Sequence, residues 1–290
     1  MQRRIFLKTA SLATAAVALR PARSFASNKD DGAARLAALE RRHGGRLSVG
    51  ILDTANGRRI SYRGDERVLM CSTFKLLAVA AVLARVDRGA EKLDRRVTYD
   101  KQVVLAYAPV TRDHVGAPGM SVAELCHAAI TLSDNTAANL LLTSLGGPSA
   151  VTAFMRSIGD ATTRLDRTEP DLNVTGPGDT RDTTTPNAML ASMNELLLGK
   201  ALSKASREQL IDWLRACKTG DERLRAGLPA GWQVGDKTGS GSHDETNDVA
   251  IAWPPQRKPL LVTAYYAESS NDAAGRNAVL AEVGRIAASM

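Results

Sequence analysis

Ser72-Thr-Phe-Lys-Leu-Leu-Ala-Val-Ala-Ala-Val-Leu-Ala-Arg-Val-Asp87 is the stretch that organises the rest of the chain. Apolar residues fall on nearly every face of it and Gly89 follows, so it reads as a buried helix with a glycine stop. Toward the N-terminus lie a short helix over about 31–43 and a strand, Leu47-Ser-Val-Gly-Ile-Leu-Asp53. Asn56-Gly57 then offers a tight hairpin turn, since both residues tolerate positive φ, and Arg59-Ile-Ser-Tyr62 supplies the return strand. Toward the C-terminus, Ser121-Val-Ala-Glu124 has the form of a capping box opening a second helix. Thr136 to Leu145 is a third helix, stopped by Gly146-Gly147, and residues 186–198 and 206–216 are two more. Residues 160–184 show no helical period, and so long a structureless stretch inside a compact domain is either functional or disordered. Strand character returns at 232–237, 248–253 and 260–267, and an Ala-rich helix over 272–288 closes the chain. Strands at both ends with helices between predict a sheet built from both termini and an inserted helical lobe, with a ligand site between the two.

The first residues read as a processing segment. Met1-Gln-Arg-Arg-Ile-Phe-Leu-Lys8 precedes a mild apolar stretch and then Ser24-Phe25-Ala26, with small residues where a signal peptidase reads. The paired Arg3-Arg4 resembles a twin-arginine export signal, and cleavage is expected after Ala26. Removing residues 1–26 takes five basic residues and no acids, leaving 33 basic against 31 acidic, so the net charge falls from +7 to +2. The basic balance is therefore largely a property of the leader, and with aromatics at only 4% it gives no reason to expect nucleic-acid binding. No apolar run reaches the roughly 18 residues of a membrane span. Three cysteines, Cys71, Cys126 and Cys217, leave at least one free thiol, and the four histidines form no metal-ligand spacing.

Three short motifs carry chemistry. Ser72-Thr-Phe-Lys75 places serine and lysine three apart on one helix face, where a lysine disfavoured as a cation by burial could take the serine proton. The helix start adds N–H groups that stabilise developing negative charge. Ser133-Asp134-Asn135 lies between two helices; its serine can relay a proton and its asparagine can donate to a substrate carbonyl, though alone it reads equally as a helix cap. Lys237-Thr238-Gly239 ends a predicted strand and could meet an anionic substrate through the ammonium and hydroxyl, with glycine admitting a ligand to the backbone. Each is weak in isolation. In this order on a helix, a loop and a strand they form the set of the class A β-lactamases and penicillin-binding proteins.

The mature chain resembles the class A serine β-lactamases throughout its length. The flanks match as well, in Met70-Cys71-Ser72, Ile130-Thr-Leu-Ser133-Asp-Asn135-Thr-Ala-Ala-Asn139 and Arg181-Asp-Thr-Thr-Thr-Pro186. So does Arg164-Leu-Asp-Arg-Thr-Glu169-Pro-Asp-Leu-Asn173, the family's Ω-loop signature. The resemblance implies an α/β fold of the α+β type. It comprises an antiparallel five-stranded sheet built from both termini and flanked by helices (about 27–65 and 215–290), with an inserted all-helical lobe (about 66–214), in a single domain over 27–290. It implies β-lactam hydrolysis through an acyl-enzyme on Ser72, with Lys75 or Glu169 as acylation base, Ser133 passing a proton to the leaving nitrogen, and Glu169 activating the deacylating water, which Asn173 helps to hold. A penicillin-binding transpeptidase lacks that loop and stays acylated. A β-lactam sensor domain would share the acylation, but belongs to membrane-anchored receptors.

Further positions follow from the same resemblance. Asn135, Lys237, Thr238, Gly239 and Ser240 line the substrate site, the N–H groups of Ser72 and Ser240 form the oxyanion hole, and Tyr107 is the aromatic at the entrance. Arg223 binds the substrate carboxylate, since no arginine stands between Lys237 and Arg257 to do so from the strand. Arg167 and Asp182 form a salt bridge closing the loop. The partner positions for family disulfides hold no cysteine, either in Ser240-Gly241-Ser242 or over Leu76 to Ala80, so three free thiols are expected. No cofactor or metal is expected. The partners are small-molecule β-lactams, with no nucleic acid and no membrane after leader removal, for a periplasmic monomer.

Overall fold

The computed structural model describes residues 29–290 apart from 175 and 177. The expected leader over 1–26 lies outside the described residues. In chain order, helix α1 (Lys29–His43) is followed by strands β1 (Arg46–Asp53), β2 (Arg59–Tyr62) and β3 (Val68–Leu69), a 3₁₀ turn Cys71–Thr73, and helix α2 (Phe74–Asp87). Strands β4 (Arg96–Val97) and β5 (Met120–Ser121) lead into helices α3 (Val122–Thr131), α4 (Asn135–Leu145) and α5 (Pro148–Ser157). After β6 (Thr183–Thr184) come α6 (Pro186–Leu197), α7 (Lys204–Arg215) and the single turn α8 (Leu224–Gly227), then β7 (Gln233–Ser240), β8 (Thr246–Trp253), β9 (Leu260–Ala267) and α9 (Ala273–Ala288).

The main sheet has the order β2-β1-β9-β8-β7, antiparallel throughout, so strands from both ends of the chain interleave as expected. Alternation along β1 explains its two covered faces. Leu47, Val49 and Ile51 meet Leu36 and Leu39 of α1 and Val279, Leu280 and Val283 of α9. Leu52 turns the other way and joins Val249, Ile251 and Leu261 in the core formed with α2 and the other inserted helices. Every residue of α2 from Phe74 to Ala84 is buried, Lys75 included. Burying each Leu or Phe contributes about 1.5–3 kcal/mol, and that apolar burial offsets the several kcal/mol cost of taking an ammonium out of water.

The hairpin between β1 and β2 is not a two-residue turn. Only Gly57 takes positive φ (76°), while Asn56 accepts from the Arg58 N–H and donates to Asp53. Helix α5 was not expected; Gly146 and Gly147 at φ 100° and 105° end α4 and Pro148, at the first helical position, begins a new helix immediately. Strand β7 runs to Ser240, so Lys237-Thr238-Gly239 lies within it, opposite Val249, Asp248 and Asn247. Among its described residues the 160–184 segment holds one 3₁₀ turn, Asp171–Asn173, and is tied down at its end by pairing of β6 with β3, just ahead of Ser72.

Cys71, Cys126 and Cys217 are all free and buried, and burial pushes the Cys217 thiol up to about 11. Titration with a thiol reagent is expected to find three equivalents in denaturant and very slow reaction of the native protein; fewer than three on unfolding would reveal a cystine.

Candidate active site

The 3₁₀ turn Cys71–Thr73 sets Ser72 ahead of α2, with Cys71 held at φ 46°, a left-handed conformation uncommon for a side-chain-bearing residue. Non-glycine residues in such regions gather at functional sites, and Ser133, at φ 58°, is a second instance in the same cleft. Lys75, one turn further on, has no solvent exposure. Its Nζ donates to Ser72 Oγ (2.8 Å), Ser133 O (2.8 Å) and Asn135 Oδ1 (2.6 Å), and lies 2.9 Å from Glu169 Oε1. Ser72 Oγ in turn donates to Glu169 Oε1 at 3.1 Å. Burial lowers the Lys75 pKa while the Glu169 carboxylate opposes it, and burial prevails. Loss of the lysine proton is thereby eased.

Ser133 Oγ receives hydrogen bonds from two ammonium groups, Lys75 Nζ at 3.3 Å and Lys237 Nζ at 3.0 Å. Its own O–H is then left to donate elsewhere. Lys237 is fully buried, which pushes its pKa down to about 8, helped by the nearby Lys75 charge. Asn135 spends its oxygen on Lys75, which leaves its NH₂ for a ligand.

Glu169 is held from two directions. Asn139 of α4 clasps its backbone, donating to Glu169 O at 2.8 Å and accepting from Glu169 N at 2.9 Å. Asn173 Nδ2 donates to Glu169 Oε2 at 2.5 Å, while Asn173 Oδ1 is a buried acceptor with no partner among the described residues. The expected Arg167–Asp182 ion pair is present at 2.5 Å with the Asp182 side chain fully buried, and Asp182 Oδ1 also accepts the Asp166 and Arg167 N–H groups.

Across the cleft, a Cβ on Gly239 would fall 2.9 Å from Met70 O and 3.2 Å from Ser72 N, so only glycine lets β7 run this close to the nucleophile's turn. Thr238 Oγ1 is 2.5 Å from Thr219 Oγ1. Arg223 reaches over the same strand, with Nη1 2.8 Å from Gly239 O and Nη2 2.8 Å from Ser240 Oγ. Tyr107 is half-exposed at the mouth, its hydroxyl donating to Leu132 O at 3.2 Å. Ser72, Tyr107, Ser133, Asn135, Asn173 and Arg223, with Thr219 and residues 238–240, line one cleft of about 360 Å³. Lys75, Glu169 and Lys237 form its buried floor through the bonds above. All twelve residues named from the sequence thus converge. A larger hollow of about 650 Å³, behind Val68 and Leu69, contains none of them. Sequence reasoning passed over Asn139, Thr219 and Asn277, the last accepting from Arg223 Nε at 3.1 Å. Asn139 stood inside a quoted motif; the other two carry no local signal.

A half-buried serine against a buried lysine and glutamate, beside a strand that bears a second buried lysine, defines a serine acyl-transfer site. The chain matches the β-lactamase enzyme family over residues 32–289. It is 48% identical to the β-lactamase OXY-1 of Klebsiella oxytoca over 280 residues, 96% of each chain. It is 53% identical to the β-lactamase L2 of Stenotrophomonas maltophilia over 252 residues, 87% of this chain and 83% of that one. The solved class A β-lactamase of the last common ancestor of Gram-negative bacteria superposes with a TM-score of 0.87 at 65% identity, covering 89% of this chain and 98% of the other. The chain belongs to the class A serine β-lactamases.

Asp182 sits at φ 57°, which asparagine tolerates, so Asp182→Asn removes the charge without forcing the backbone. Leaving Arg167 without its buried partner is expected to cost about 3 kcal/mol, read as a lower urea midpoint. A loss near zero would mean the ion pair does not hold the loop.

Proposed function

We propose that this chain hydrolyses the β-lactam amide of penicillins and cephalosporins through an acyl-enzyme on Ser72, and so confers resistance to them. The observation that carries this is the Glu169 carboxylate, which touches both Ser72 and Lys75 and has the unpartnered Asn173 Oδ1 beside it. Ser72 Oγ attacks the ring carbonyl and its proton passes into the Lys75–Glu169 pair. Because these groups are in contact, the pair acts as the base rather than either member alone. The N–H groups of Ser72 and Ser240 meet the developing oxyanion. Ser133, with two lysine donors on its oxygen, gives its proton to the leaving nitrogen and takes one back from Lys75 Nζ, 3.3 Å away. Asn135 NH₂ takes the acyl side-chain carbonyl, and Lys237, Thr238 and Arg223 hold the carboxylate, with Tyr107 walling the entrance. In deacylation Glu169 and Asn173 Oδ1 position one water, and Glu169 takes its proton and returns it to Ser72 Oγ as the ester is cleaved; without that water a shielded acyl ester would persist. Every step uses groups of this chain alone.

We further propose that residues 1–26 direct export to the periplasm by the twin-arginine route, leaving 27–290 as a monomeric two-lobed domain. The support is the sequence pattern; among the described residues no helix is long and apolar enough to cross a membrane.

Glu169→Ala is expected to accumulate a covalent adduct with benzylpenicillin visible by mass spectrometry, with turnover reduced about 10²–10⁴-fold as for loss of a general base. Normal turnover would refute the assignment, and slow labelling of the unaltered protein without nitrocefin hydrolysis would favour a transpeptidase or sensor. The pH profile offers a second check. Lys237 carries its charge below about 8 and loses it above, and kcat/KM reports groups of the free enzyme. For benzylpenicillin it is expected to fall above about pH 8, mainly through KM.

A further inference from the structure

Among the described residues, the guanidinium that reaches over β7 has neutral hydrogen-bond partners and no direct ion pair. Arg223 donates to Gly239 O (2.8 Å), Asn247 O (2.7 Å), Ser240 Oγ (2.8 Å) and Asn277 Oδ1 (3.1 Å). Beneath it, on β8, lies Asp248, fully buried and directly opposite Thr238 in the ladder. One carboxyl oxygen accepts the N–H of Leu224, the residue after Arg223, at 3.1 Å; the other has no partner among the described residues. The neighbouring buried acid, Asp236, is taken by Arg225 in a direct ion pair.

We propose that Asp248 is a positioning residue for the substrate-carboxylate site: by anchoring Leu224 N–H to β8 it seats Arg223 across Gly239 and Ser240 while leaving its charge to the substrate. This rests on the assignment of Arg223 made above. Two facts join in it. Among the described residues the Leu224 backbone N–H meets β8 through this side chain, and this anchor, with the Arg223 Nη1 bond to Asn247 O, sets where the long Arg223 side chain lies. Burial, reinforced by the Asp236 charge, also holds the Asp248 carboxyl well above the usual carboxylate range. An ionised acid at this place would partly neutralise Arg223; a neutral one hydrogen-bonds without doing so. An asparagine, which presents the same acceptor and no charge, is therefore a near-equivalent.

The test is steady-state kinetics with benzylpenicillin and with its methyl ester, which lacks the carboxylate. Asp248→Ala is expected to raise KM for benzylpenicillin about tenfold, the scale of losing one Arg223 hydrogen bond to the substrate carboxylate, with kcat nearly unchanged and the ester unaffected. Asp248→Asn is expected to restore the wild-type KM. In an Arg223→Ala background, Asp248→Ala is expected to add nothing. If the alanine variant does not fold, Asp248→Ser, too short to reach Leu224 N, replaces it. Equal loss on acid and ester, an unchanged KM, or an asparagine variant as impaired as alanine would overturn the proposal. If Arg223→Ala alone leaves the benzylpenicillin KM unchanged, the Arg223 assignment itself fails; if it raises KM and Asp248→Ala does not, only the positioning role fails.

Discussion

The Lys75 ammonium is wholly buried one turn into α2, where an uncompensated charge would cost several kcal/mol. Its donors are met by a hydroxyl, a backbone carbonyl, an amide oxygen and a carboxylate drawn from four places in the chain: Ser72, Ser133, Asn135 and Glu169. The left-handed Ser133 lets its carbonyl and its hydroxyl face the same nitrogen. The Arg167–Asp182 knot and the Asn139 clasp bring Glu169 inward from an otherwise irregular loop. Satisfying one cation and assembling the reacting groups are the same structural problem.

The second lysine shows how charge is distributed. Lys237 and Lys75 both donate to Ser133 Oγ, so two like charges converge on one hydroxyl. Burial, helped by the Lys75 charge, lowers Lys237 toward neutrality, and two donors on the Ser133 oxygen leave its own O–H free to give up a proton. Arg223 reaches the strand through neutral acceptors alone. The cleft therefore holds one carboxylate, Glu169, already paired with Lys75, while the Arg223 guanidinium on the opposite strand has no direct ion-pair partner among the described residues.

Much of this was legible in the chain. Periodicity located α2 and the sheet strands because burial on one or both faces is written locally, and the Ser72–Lys75 spacing is a one-turn relation needing no tertiary knowledge. The Arg167–Asp182 pair and the role of Glu169 came only from family resemblance, since nothing local says which of many loop acids turns inward. What escaped was set by distance or by neighbours. Helix α5 begins where two glycines mark a stop, and only the fixed φ of Pro148 shows that a new helix starts there. Strand β7 continues past its apolar portion because β8 pairs with it as far as Ser240. Thr219 and Asn277 meet the site across gaps that the sequence does not measure.

The three thiols have a consequence for where the protein can acquire its shape. All are buried and unpaired, in both the sheet face and the helical core, and no loop in the fold is closed by a covalent bond. Chains that need cystines must wait for an oxidising compartment. This one carries its restraints in hydrogen bonds, ion pairs and packing, so its folding requires no oxidant.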